Sequence, residues 1–195
     1  MISSFPSPLR WLREPAESAV EGDALRIVAG PQTDWFVDPL TEAVKAGAPA
    51  LVGPIRGDFL LSARLEVAFA ATFDAGALML WRDDRAWAKL CFEYSPQSEP
   101  MVVSVVTRGV SDDCNSHVVD GSAVWLRMAR IGRAHAFHAS SDGRRWELVR
   151  HFRLDGDGEL DVGFVAQSPT GNGCAVTFSE IRLEATRLND LRSGE

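Results

Sequence analysis

The chain is poor in cysteine: Cys91, Cys114 and Cys174 stand far apart among 195 residues, and no CxxC pair occurs. That argues against a thiolate zinc site. Cys91 and Cys174 lie in apolar strand patterns, as buried thiols of a reduced protein do. Positive charge is also lacking. The net charge is −7, and the arginines are scattered among acidic residues, so there is no basic footprint for nucleic acid. No apolar run approaches the length of a membrane-spanning helix. The opening MISSFPSPLRWLREP, with Pro6, Pro8 and Pro15, is not a secretory signal. We therefore expect a cytoplasmic protein with neither nucleic-acid nor membrane partners. No GxSxG elbow, P-loop, Rossmann glycine motif or HExxH pattern appears, and no cofactor is expected. Nor does any segment sustain a 3.6-residue apolar period, which argues against helices.

What the chain does have is short alternating runs separated by turn chemistry. FLLSARLEVAFA alternates around Leu61, Ala63, Leu65, Val67 and Phe69, and ALMLWRD is almost continuously apolar. AWAKLCFEY and MVVSVVTRG follow, then the polar stretch SDDCNSHVVDG, read as a loop. AVWLRMARI and AHAFHAS come next, with Asp142-Gly143 as the strongest hairpin signal. LDGDG and SPTGNG are turns flanking ELDVGFVAQ, and CAVTFSEIRLEAT closes the series. Runs of this length at roughly 8–12-residue spacing mark an all-β sandwich or barrel. Near the start, DWFVDP reads as an aromatic corner and Thr41 to Pro49 as loop. Ala50 to Ile55 reads as a short strand kept to an edge or bulge by Gly53 and Pro54. We divide the chain into an N-terminal arm (1–22) with a helical turn from Glu14, a β-sandwich domain (23–186), and a polar tail (187–195) that frays.

The motifs AWAKLCFEY, SVVTRGVSDDCNS, VWLRMARIGRAHAFHASSDGRRW and VGFVAQSPTGNGCAVTF, in that order, resemble the "regulation of enolase" family of the concanavalin A-like lectin/glucanase superfamily. The resemblance spans roughly Ala24 to Glu184. It implies a two-sheet antiparallel jelly-roll sandwich with one concave sheet, and no assigned reaction. Similar modules are appended to some glycoside hydrolases, which points toward sugars.

Within that frame, side-chain alternation puts Trp87, Lys89, Cys91 and Glu93 on one face of AWAKLCFEY. The resemblance makes that face the concave cleft. Lys89 and Glu93 would then bind sugar hydroxyls, where an ordinary strand would use them in cross-strand charge pairs. Trp87 is the stacking candidate on the same face, although a strand tryptophan is more often core. Asp113 and Asn115 would contribute from the cleft rim, and Gln167 from the end of VGFVAQ, its amide both donating and accepting. His135 and His138 face opposite sides of their strand. One of the two is expected near the cleft; alternation does not say which, and His138 stands for that position in the ligand-binding set. No metal is expected. Asp112 and Asp113 are the residues a calcium ion would take, but Asp and Asn in such a run commonly bond their own backbone. The function expected is a non-catalytic carbohydrate- or polyol-binding module. A protein-interaction or regulatory factor in carbohydrate metabolism is the alternative. A glycoside hydrolase-like enzyme using Glu93 and Asp113 is the second, although the acid pattern of the superfamily's glucanases is missing.

Overall fold

Strict alternation over runs of five to eleven residues builds most of this chain. A computed structural model describes residues 5–154 and 159–195. Its strands are β1 (Arg10–Arg13), β2 (Glu17–Glu21), β3 (Ala24–Ala29), β4 (Trp35–Val37), β5 (Val44–Ala46), β6 (Ala50–Ile55), β7 (Phe59–Val67), β8 (Ala75–Asp83), β9 (Ala86–Tyr94), β10 (Pro100–Arg108), β11 (Val110–Val118), β12 (Ala123–Ile131), β13 (Ala134–Ser140), β14 (Glu147–Phe152), β15 (Leu160–Gln167) and β16 (Cys174–Glu184). One seven-stranded sheet runs β1-β6-β15-β8-β9-β10-β11. The other runs β14-β13-β12-β7-β16-β3-β2, and β4 and β5 form a separate two-stranded ribbon. The two large sheets stack as an antiparallel jelly-roll sandwich, which is the fold class the patterning predicts. Among the described residues no helix is long and apolar enough to cross a membrane.

The inner faces meet in one apolar core. Leu78, Leu80, Leu90, Phe92, Val162 and Phe164 from the first sheet pack against Ile27, Leu61, Leu65, Leu126, Phe137 and Phe178 from the second. Phe164 and Phe178 meet edge-to-face with centroids 5.0 Å apart. Gly163 is required by a close approach. A Cβ there would collide with the backbone carbonyl of Leu51 on the neighbouring strand β6.

Four expectations need correction. The N-terminal arm contributes two edge strands, β1 on one sheet and β2 on the other, with no helical turn. Trp11 packs on the inner core and Leu12 on the outer face of the same sheet, so even this short segment follows the two-residue period. SDDCNSHV is strand rather than loop. As β11 it hydrogen-bonds to β10, and its polar side chains suit an edge open to water, where backbone pairing needs no apolar residue. Residues 44–46, read as loop, form β5 and pair with β4. The tail does not fray: Leu188 and Leu191 cover Leu60, Ala129 and Ala136 on the outer face of the second sheet. The placing of Ala50 to Ile55 is half right. β6 lies inside its sheet, but β1 pairs only with Ala50, Leu51 and Val52, so Pro54 sits where that side of the strand is open. Asp142-Gly143 does join β13 to β14. The connection is a six-residue loop, 141–146, in which the Asp142 carboxylate accepts the backbone N–H groups of Arg144 and Arg145. The turn expected at LDGDG falls on 155–158, outside the described residues.

Candidate functional site

The outer face of the first sheet carries its own apolar layer. Ala75, Ala77, Met79, Trp87, Cys91, Val103, Val105 and Val165 form it, with Trp35 and Ala48 laid over them. Register explains the layout. Lys89 stands opposite Met79 on one side and Val105 on the other, and Val105 stands opposite Asp113. Two residues along β9, Cys91 lies between Ala77 and Val103; two further, Glu93 lies between Ala75 and Met101. Ala75 in turn faces Gln167. Lys89, Glu93, Asp113 and Gln167 thus occupy one face and line one recess of about 300 Å³. Its wall is the β4–β5 ribbon, which contributes Phe36, Asp38 and Lys45, with Phe73 on the opposite rim.

Lys89 is only 2% exposed and lies at the centre of the arrangement. Its Nζ donates to Asp34 Oδ1 at 3.1 Å and to Gln167 Oε1 at 2.7 Å. Burial works to lower the Lys89 pKa, but nearby negative charge, first of all the Asp34 carboxylate and then that of Glu93, outweighs it, so the ammonium is held above its ordinary value. The Gln167 amide donates to the Phe73 carbonyl at 3.1 Å, and its Nε2 lies 3.5 Å from Glu93 Oε2, at the outer limit of a hydrogen bond. Glu93 is pushed up from 4.5 to about 7. Burial is the main cause; Lys89 pulls the value down, while Asp34 and Asp113 push it further up.

Asp34 is the residue that sequence reasoning missed, since the DWFVDP stretch was read there only as an aromatic corner. It reaches the site through backbone pairing. Thr33 and Ser168 form an isolated antiparallel bridge, each N–H donating to the other's carbonyl at 3.1 Å. Their chain neighbours Asp34 and Gln167 are therefore brought together over Lys89. Trp35 locks the ribbon down: its ring is fully buried, its indole N–H donates to the Ala48 carbonyl at 2.8 Å, and it meets Trp87 edge-on at 5.9 Å. A second polar cluster steadies the rim. Buried Asp74 accepts the backbone N–H groups of Ala70 and Ala71 and the Ser168 hydroxyl. Next to it Phe73 is held at a φ of 69°, a left-handed conformation that a bulky residue adopts only when its surroundings impose it.

Other expected site residues fall elsewhere. Trp87 is on the predicted face but 1% exposed beneath Trp35, so it offers no free ring for stacking. Asn115 is exposed on edge strand β11, beside Val103 and outside the recess lining. His138 belongs to the other sheet. It is buried under the C-terminal segment, its Nε2 2.8 Å from the Leu191 carbonyl, and burial lowers its pKa to about 4. His135 faces inward, stacked on Phe152, so neither histidine reaches the recess. Asp112 and Asp113 point to opposite faces of β11, and Asp112 pairs with Arg150 at 3.1 Å, so the two cannot share one ion. Among the described residues no group of three or more His, Cys, Asp or Glu is placed to hold a metal. Glu93 and Asp113 are two strands and four residues apart, which puts their Cα atoms about 16 Å from one another on a flat sheet.

The comparisons agree with this architecture. "Regulation of enolase protein 1" of Saccharomyces cerevisiae is 28% identical over 177 residues, covering 90% of this chain and 88% of that protein. The crystal structure of a functionally unknown protein from the same yeast superposes with a TM-score of 0.86 at 25% identity, covering 95% of this chain and 98% of that one. The GH43 protein BlXynB of Bacillus licheniformis matches with a TM-score of 0.74 at 16% identity over 91% of this chain, but this spans only 37% of its own length. A xylan beta-1,4-xylosidase from Bacillus halodurans matches at 0.60 and 15% over 84% of this chain and 33% of its own. At such identities these two share the fold alone. Residues 11–186 match the family described as "Protein of unknown function (DUF1349)", and the chain belongs to that family.

Proposed function

We propose that the protein is a non-catalytic binding module for a small polyhydroxylated ligand, a carbohydrate or related polyol, held in the recess beside the β4–β5 ribbon. The observation that carries this reading is the Lys89 cluster. Its ion pair with Asp34 and bond to Gln167 fix a donor–acceptor array at the floor of the recess, with Glu93 and Asp113 still available for hydroxyl groups. Ligand sites are largely apolar hollows with a few convergent polar groups, and about 300 Å³ is at the small end of their range. Phe36 and Phe73 take over the stacking role first given to Trp87, since both line the hollow and Phe73 is substantially exposed. The partial-length likeness to glycoside hydrolases supports a sandwich module of the kind such enzymes carry. The missing acid pattern of the superfamily's glucanases favours binding over hydrolysis, which needs a positioned pair of carboxyls. The three cysteines are unpaired, which suits a reducing, cytoplasmic setting. Saturation-transfer NMR against neutral oligosaccharides tests the reading. Signals should appear with the native protein and vanish with Gln167→Ala and Glu93→Ala; binding indifferent to both substitutions rules this site out.

One observation favours a second reading. At the ribbon tip Leu40 is 89% exposed and Val44 66% exposed. That suits a regulatory factor whose ribbon docks on another protein, in which case Leu40→Ser with Val44→Ser would abolish partner binding while recess substitutions would not.

A further inference from the structure

The charged groups lining the recess are not balanced. Asp34, Asp38, Glu93 and Asp113 face two cations, Lys45 and Lys89. Lys89 is committed to Asp34 at 3.1 Å. Asp38 is turned onto its own loop, where it accepts the backbone N–H groups of Leu40 and Thr41, each at 2.8 Å. Two carboxylates remain. Glu93 has only the distant Gln167 amide, and Asp113 makes no hydrogen bond or ion pair among the described residues. The one cation left on the lining is Lys45, an exposed residue of the β4–β5 wall, so at least one of the two carboxylates has no counterion.

Taking the proposed function as its basis, we infer that the recess selects a saccharide bearing a free amine, whose ammonium groups pair with Glu93 and Asp113, and that it rejects carboxylated and phosphorylated sugars. Hydroxyl groups alone would satisfy the lone pairs of these carboxylates but not their charge. A sugar acid or sugar phosphate would bring a third anion against them. The perturbed Glu93 agrees with this: burial, with Asp34 and Asp113 adding to it, outweighs Lys89 and leaves the carboxyl only about half ionised at neutral pH, and a second cation would favour its charged form. Glu93 is half-buried and Asp113 exposed at the rim, and discrimination by uncompensated charge is a common route to specificity.

Calorimetric titration of the full chain with three trimers of similar size separates the possibilities: cellotriose, a fully deacetylated glucosamine trimer and a galacturonate trimer, at neutral pH, where Glu93 is partly ionised and the amines are partly protonated. We expect the amine trimer to bind about tenfold or more tighter than cellotriose, and the galacturonate trimer not to bind. The ratio of amine to neutral affinity should fall toward one in Glu93→Gln and in Asp113→Asn. It should hold in Glu21→Gln, which removes a charge from the edge of the other sheet and so controls for the protein's overall charge. Equal binding of amine and neutral trimers, or tightest binding of galacturonate, overturns the charge inference while the polyol site stands. Failure of all three to bind removes the polyol reading and this inference with it.

Discussion

Replacing Glu93 with glutamine should stabilise the protein, and increasingly so as the pH rises. In the fold the Glu93 carboxyl titrates at about 7, against 4.5 ordinarily. Burial is the main cause, with Asp34 and Asp113 adding to it and Lys89 opposing it. Below about pH 4.5 both folded and unfolded chains hold the proton, and the group imposes no penalty. Between 4.5 and about 7 the folded chain holds a proton that the unfolded chain has released, so stability falls as pH rises. Above about 7 the whole penalty is present. At about 1.4 kcal/mol per pH unit the interval amounts to roughly 3 kcal/mol, which water entering through the mouth of the recess trims to about 2–3 kcal/mol. Glutamine keeps the shape and leaves an oxygen for the Gln167 amide, but carries no charge to desolvate. For a domain of this size each kcal/mol moves the melting temperature by about 2–4 °C, so the variant should melt about 4–12 °C higher than the native protein in mildly alkaline buffer. Near pH 4.5 the difference should vanish. Thermal denaturation followed by circular dichroism across that range is the assay. A variant less stable in alkaline buffer would mean that Glu93 is held by a net favourable ion pair, and the electrostatic account of the recess would be wrong.

Three further outcomes are expected. Lys89→Met strands the Asp34 carboxylate, whose one ion pair among the described residues is with Lys89 at 3.1 Å, and should cost about 3–5 kcal/mol in urea unfolding; a loss below about 1 kcal/mol would show that the pair is solvated. Trp35→Ala removes the ring that seals the ribbon onto Trp87 and should cost about 3–5 kcal/mol while changing the near-ultraviolet dichroism of the remaining tryptophans; an unchanged spectrum would mean that the ribbon is held by its backbone alone. Of the three thiols only Cys114 is exposed, whereas burial raises the pKa of Cys91 and brings that of Cys174 to about 12. A thiol reagent should therefore label Cys114 alone in the native protein and all three in denaturant, and native labelling of Cys91 would contradict the closed floor of the recess.

The sandwich was legible because its inner faces obey a two-residue period that few other structures produce: β7, β9 and β12 each place apolar residues at every second position, as the core requires. What escaped were segments whose partners lie far away in sequence. β11 has no apolar face, because an edge strand needs only the backbone of β10, and the tail looked polar because just Leu188 and Leu191 do its packing. The site shows the same division. Lys89 and Glu93 could be placed on one face by alternation, and a lysine between Ala88 and Leu90 announces a need for a buried carboxylate. Nothing local says that the carboxylate is Asp34, because the bridge between Thr33 and Ser168 that delivers it spans most of the chain. Trp87 was misjudged for the same reason: its strand face was read correctly, but Trp35, which covers it, arrives from elsewhere. His138 was misjudged because its alternation said only that it opposes His135, not which sheet the strand joins.

The distribution of energetic cost argues that this recess is more than a by-product of packing. A face already carrying Ala77, Met79, Val103 and Val105 would close at least as well over leucine as over Lys89, since replacing a buried ion pair by apolar side chains of similar volume is often neutral or stabilising. Instead the chain keeps a buried ammonium and sets beside it a carboxyl that resists ionisation at neutral pH. It also holds Phe73 in a left-handed backbone conformation so that its carbonyl meets the Gln167 amide. Charge desolvation and backbone strain are independent penalties, and both fall on residues lining the same hollow. Penalties gathered in this way are expected where a surface is shaped to receive something, because a bound ligand repays them and a packed core has no means to do so.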